Sequence, residues 1–149
     1  MLRMRGQSAC FAIAFLALAS PDSGAQLFSS SNCPQKIEVE QRAVTVPDGW
    51  EGGKSTTTVA LATVAFFDGP PGERAALKYD SEDRQKRDRI AFWNLPPNAR
   101  GYWMSCGYAN TSVVVSRRLS ESVRSCAVTY ERKKPGAGGQ PAIKNILCR

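Results

Sequence analysis

Acid–base chemistry in this sequence would have to run on carboxylates, because its 149 residues include no histidine. That absence removes Ser-His-Asp and Cys-His nucleophile pairs, the His-Glu-x-x-His zinc site and any imidazole base. Glycoside cleavage does proceed with two carboxyl groups roughly 5 to 9.5 Å apart, and Glu38, Glu40, Asp48, Glu51, Asp68 and Glu73 are the candidates. Glu38 and Glu40 alternate with apolar residues and so face water. Asp68 stands in Phe67-Asp68-Gly69-Pro70, where turn formation accounts for it. Gly136, Gly138 and Gly139 lack the spacing and the following helix of a phosphate-binding loop. No catalytic residue is assigned, and the sequence is read as a protein that is not an enzyme, with no cofactor and no metal site.

Thiol chemistry depends on the compartment. Arg3 and Arg5 precede the apolar run Cys10 to Ala19, and Ser23-Gly24-Ala25 offers small residues for cleavage. A membrane span needs about twenty apolar residues, so this ten-residue run reads as a signal peptide over 1–25. The mature chain is then expected to begin at Gln26, with a loose start over 26–32 and one domain over 33–149. It has no transmembrane segment and is periplasmic or secreted. Cleavage leaves 18 basic and 12 acidic side chains, a formal charge of +6.

Four cysteines then remain, Cys33, Cys106, Cys126 and Cys148. An even number in a short exported chain reads as a disulfide framework with three pairings open. No Cys-x-x-Cys spacing supports a metal knuckle or a redox motif. A hairpin centred on Ala137 faces residues whose numbers sum to 274, so Cys126 meets Cys148, Val128 meets Ile146 and Tyr130 meets Lys144. Cys33 and Cys106 then pair by elimination.

Two basic clusters, Arg117-Arg118 and Arg132-Lys133-Lys134, are candidate binding residues. The second is read as a cationic finger at the tip of the last hairpin. Trp103 is a third candidate, because Tyr102, Met104, Cys106 and Tyr108 share one strand face and leave Trp103 on the other with Ser105 and Gly107. Charge of this kind favours anionic surfaces but does not specify a ligand. The partner is therefore expected to be an anionic envelope component or a protein, not a nucleic acid.

The elements that must position these groups read as strands. Lys36 to Gln41 alternates charged and apolar residues, with Ile37 and Val39 inward. Val46 to Gly53 is a loop. Thr56 to Phe67 is β-branched and aromatic with no charge, and is expected to be a central strand covered on both sides. Its two faces are Val59, Leu61, Ala65 and Phe67 against Ala60, Ala62, Val64 and Phe66. Ala75 to Tyr79 reads as a short strand, Asp80 to Arg89 as a solvated, ion-paired loop or turn, and Leu119 to Arg124 as the one stretch able to form a helical turn. Strands are further expected over 90–95, 101–108, 112–117, 125–131 and 143–148. Up to eight short strands imply a mainly β fold, a single antiparallel sandwich or small barrel stapled by disulfides.

Cys33-Pro34-x-x-Ile37-x-Val39-x-Gln41, Gly49-Trp50, Phe66-Phe67-Asp68-Gly69-Pro70-Pro71, Leu77-x-Tyr79-Asp80, Trp93-x-Leu95, Tyr102-Trp103-x-Ser105-Cys106-x-Tyr108, Leu119, Cys126-x-Val128-x-Tyr130 and Ile146-x-Cys148 together resemble a family of small uncharacterised secreted bacterial proteins. The resemblance implies an exported domain without an assigned activity. The expected function is a non-catalytic binding domain for an envelope component or protein partner. An inhibitor of a hydrolase is the alternative, with an acidic target the better match to +6. A carboxylate-dependent hydrolase comes last.

Overall fold

The computed structural model describes residues 33–149; the expected signal peptide and the segment 26–32 lie outside them. Eight strands follow in order: β1 (Lys36–Arg42), β2 (Lys54–Asp68), β3 (Ser81–Arg84), β4 (Asp88–Asn94), β5 (Tyr102–Tyr108), β6 (Val114–Arg118), β7 (Ser125–Pro135) and β8 (Pro141–Cys148). They form two four-stranded sheets, ordered β1-β2-β5-β6 and β3-β4-β7-β8. Each sheet is two hairpins joined side by side, through β2 with β5 and through β4 with β7, and every pairing is antiparallel. This is the sandwich rather than the closed barrel.

One core lies between the sheets, with Val59, Leu61, Val64, Phe66, Met104 and Cys106 from the first meeting Ala91, Trp93, Cys126, Val128 and Ile146 from the second. The Phe66 and Trp93 rings meet across it at 4.8 Å between centroids. The Trp93 indole N–H donates to Leu77 O at 3.3 Å, satisfying the ring's one polar group.

Antiparallel pairing places both hairpin turns of a sheet at the same end. Gly138, in the β7–β8 turn, lies against Ala109 and Ala62 of the first sheet, so the turns of both sheets gather at one end of the molecule. The three connections that cross between sheets occupy the other.

Two disulfides tie this arrangement, Cys33–Cys106 and Cys126–Cys148. The Tyr108 hydroxyl donates to Pro34 O at 3.0 Å, fixing the segment that enters β1 beside the first bridge. The second bridge has the expected register, which holds through Val128↔Ile146 and Thr129↔Asn145. Tyr130 then pairs with Ile143 instead of Lys144. Lys144 is the extra residue of a bulge, and its ammonium turns to Asp88 at 2.7 Å. That carboxylate raises the Lys144 pKa, first by hydrogen bonding and then by its charge.

Several expectations are corrected. The strict alternation read into β2 fails at Ala62, because Leu61 pairs with Tyr108 and Thr63 with Gly107. One extra residue shifts the pleat. Val59, Leu61, Val64 and Phe66 therefore share the buried face, and the alanines and Phe67 line a half-covered outer one. A Cβ on Gly107 would stand 2.4 Å from Thr63 Oγ1, so glycine is the residue that lets the strands close over the bulge. Ala75 to Tyr79 makes only a single bridge, Ala76 to Phe67. Leu119 to Arg124 is a reverse turn, with Val123 N–H on Ser120 O at 3.0 Å. The Ser120 hydroxyl also takes the Ser122 N–H at 3.3 Å, a local bond that competes with helix.

The charged segment Asp80 to Arg89 is no loop but most of the β3–β4 hairpin. Its ion pairing replaces the apolar contacts a hairpin otherwise needs. Glu82 takes both Arg84 and, at 2.9 Å, Arg89, and Arg89 stacks 4.3 Å above the Tyr130 ring, closing the turn end of the core. The guanidinium of Arg84, then that of Arg89, holds the Glu82 carboxyl below the usual carboxylate range. A depressed pKa contributes stability above the unfolded value, near 4.3, that is lost as pH falls through the folded value. The stability difference between the native protein and Glu82→Gln is therefore expected at pH 7 and should shrink progressively in urea unfolding as the pH is lowered below about 4.3. A difference that does not change as the pH is lowered through this range would show that the charge of Glu82 is not what matters.

Candidate interaction surface

The longest connection at the turn end leaves β1 and returns as β2. β1 pairs with Lys54 to Ala60, and β5 takes β2 only from Leu61 onward, so the upper half of this hairpin extends past the sheet as a two-stranded arm. Its residues beyond Val39 and Val59 are exposed. In the loop 43–53 at its tip, Trp50 N–H donates to Pro47 O at 3.1 Å and Gly49 has φ +80. A reverse turn with positive φ at its third residue favours glycine there. That turn carries the Trp50 side chain, 73% exposed, and Val44 of the same loop is 97% exposed. Single exposed apolar residues are ordinary, but three in one eleven-residue loop, Val44, Val46 and Trp50, make this tip the candidate contact surface.

Near the tip end of β1 the arm leans on the β5–β6 turn. Gln41 Nε2 donates to Asn110 O at 3.2 Å, and Glu40, Gln41 and Arg42 border a shallow depression with Thr111, Ser112 and Val113. Val113 and Val114, both exposed, lead from this depression onto β6.

The sequence-derived candidates fall elsewhere. Arg132, Lys133 and Lys134 belong to β7, not to the hairpin tip; the tip is the 3-10 turn Ala137–Gly139, docked on the first sheet as described. Arg132 N–H donates to Arg87 O at 2.9 Å, which adds Lys86 and Arg87 to a basic edge. Arg117 and Arg118 end β6 at the opposite end of the sandwich. Trp103 is half-buried on the outer face of the first sheet, with Phe67 and Arg118 as its cross-strand partners. Arg118 is bound to Glu121 at 3.2 Å and lies over Gly101. Trp103 and Arg118 are thus brought together, and the two basic clusters are not.

Among the six carboxylates weighed for hydrolysis, Asp68 and Glu73 are joined, both on Arg100. With Asn98 donating to Asp68 at 3.2 Å, this locks the β2–β3 and β4–β5 connections together. No group of three or more metal-ligating side chains occurs among the described residues, and no helix among them is long and apolar enough to cross a membrane. Sequence reasoning passed over Trp50. A loop has no periodicity to set an apolar residue apart, and the signal available was a tryptophan placed directly after Pro-Asp-Gly.

The fold and its surface define a disulfide-bonded β-sandwich that extends a polar two-stranded arm at one end, with Val44, Val46 and Trp50 exposed in its tip loop. The chain belongs to the Type VI secretion system Tli immunity protein family, whose model matches residues 55–149, β2 to β8 with the first residue of β2 excepted. It is also similar to an Azospirillum brasilense protein described as "Uncharacterized 16.3 kDa protein in trpG 5'region", 28% identical over 141 residues, covering 89% of this chain and 93% of that protein. No solved structure matches the chain. The resemblance to a small bacterial family holds at that level, the matched family being one of immunity proteins.

Proposed function

We propose that this chain is a non-catalytic immunity protein that binds a toxin effector of the type VI secretion system and thereby neutralises it. Family membership over residues 55–149 carries this reading. The partner is a protein, which selects one branch of the binding-domain expectation and brings it close to the inhibitor alternative, with a toxin in place of a hydrolase of unstated kind. The protein acts in the periplasm after export, since its two disulfides suit an oxidising compartment. Residues 1–25 serve as the export signal, and 33–149 are the working domain. The contact is centred on the arm, with Trp50 as its anchor, because tryptophan is enriched among the few residues that carry most of the binding energy of an interface.

The experiment is capture. Oxidised residues 26–149, immobilised, are exposed to the type VI secreted fraction of the bacterium that carries the chain. The expected result is retention of one secreted effector that survives moderate salt, as a shaped interface should. Retention only of anionic glycan or lipid, released as salt rises, would contradict the proposal and return the basic edge of Arg132, Lys133 and Lys134 to first place.

A further inference from the structure

We propose that the outer edge of β6 is a docking strand, which pairs through its main chain with an extended segment of the effector, apolar opposite Val114 and acidic opposite Arg117. This rests on the immunity reading above and adds where and how the partner is held.

The inference comes from comparing the outermost strands of the two sheets, β1, β6, β3 and β8. An open edge templates unwanted pairing, and proteins blunt it with charge, proline, bulges or brevity. β1 alternates Lys36, Glu38, Glu40 and Arg42 along its length. β3 is four residues long and three are charged. β8 begins with a proline and is broken by the Lys144 bulge. Over its first three residues, Val114, Val115 and Ser116, β6 carries none of these devices. It is regular in register with β5 throughout, and all five of its residues are exposed, Val114 by 57%.

The backbone is arranged for an added strand. Leu119 N–H donates to Tyr102 O at 2.8 Å, and hydrogen-bonded pairs alternate along an antiparallel ladder. Given the register Arg118↔Trp103, Arg117↔Met104, Ser116↔Ser105, the residues whose N–H and C=O groups point away from β5 are Val114, Ser116 and Arg118. These are three spaced donor and acceptor sets on an edge in unbroken register with β5, the arrangement used when an extended peptide completes a sheet.

Charge and continuity identify the occupant. β6 runs from the arm end, where Val113 shares a depression with Glu40, Gln41 and Arg42, to a basic end. Arg118 has Glu121, whereas Arg117 makes no ion pair among the described residues. An incoming Asp or Glu supplies its partner. A second copy of this chain would not, since antiparallel pairing about Ser116 sets Val115 opposite Arg117 and brings two net cationic chains together.

The test is amide hydrogen exchange on oxidised residues 26–149, alone and bound to the effector retained in the capture experiment. The amides of Val114, Ser116 and Arg118 are expected to slow at least tenfold in the complex. Val114→Pro removes one outward donor at the first residue of a strand, a position that tolerates proline; Arg117→Glu reverses the free charge. Each should weaken the complex at least tenfold with thermal unfolding unchanged. A complex that forms with these three amides unprotected, and with both variants binding like the parent, overturns the docking strand while leaving the immunity reading intact. Protection of the same amides in the concentrated chain alone makes the occupant a second copy and overturns the proposal. If nothing is retained in the capture, the immunity reading fails and takes this one with it.

Discussion

Reduction of both disulfides is expected to unfold the domain at room temperature. In the chain-entropy account, Cys33–Cys106, closing 73 residues, contributes about 4 kcal/mol, and Cys126–Cys148, closing 22, about 3 kcal/mol. Their sum is comparable to the whole stability of a small domain, about 5 to 15 kcal/mol. The placement of the bridges adds to the loss. The first holds the start of β1 against β5, and without it the arm is attached through its pairing with β2. The second joins β7 to the end of β8, beside which Arg149 exchanges backbone bonds with Ser125 at 2.9 Å. Circular dichroism melting with and without dithiothreitol checks this, and Cys33→Ala/Cys106→Ala should lower the midpoint more than Cys126→Ala/Cys148→Ala. A melting curve unmoved by reduction would mean that the sheets hold themselves without the bridges.

Replacing Trp50 by alanine is expected to weaken effector binding by about thirtyfold, the equivalent of about 2 kcal/mol for an aromatic anchor buried at an interface. The side chain is 73% exposed in the free protein, so its removal should leave the melting temperature within about 2 °C of the parent, as for surface substitutions away from special features. The same titration on a variant with Arg132, Lys133 and Lys134 neutralised should show a smaller loss that fades as salt is added, because exposed charges are screened. A Trp50→Ala protein that binds within twofold of the parent would move the contact away from the arm.

Much of this architecture is legible in residue patterns. The alternation of Lys36 to Gln41 sets Ile37 and Val39 inward and the glutamates outward, as found, and the turn-rich stretch around Ala137 places Cys126 opposite Cys148. What escapes the pattern is what depends on a neighbour. The bulge at Ala62 follows from how β2 meets Gly107 on another strand, and no local signal in β2 announces it. The β3–β4 hairpin hides in a charge-dense segment because its stabilising partners are ion pairs, including Arg89 with Glu82 and Tyr130. Arg132 to Lys134 read as a tip because basic residues next to proline and glycine suggest a turn, whereas β7 continues to Pro135. The arm is harder still. A binding surface needs no fixed spacing of chemical groups, so Trp50 becomes conspicuous only once the strands carry it beyond the sheet.

The most direct measurement is the stoichiometry of neutralisation. Effector toxicity, scored as killing of sensitive cells, is titrated with oxidised residues 26–149 prepared in excess and in deficit. A non-catalytic immunity protein predicts protection that rises in proportion to the amount added and is complete at a fixed molar ratio, with the effector recovered intact in the complex. Protection at a small fraction of that ratio, with the effector or its target chemically altered, would show catalysis and contradict the account.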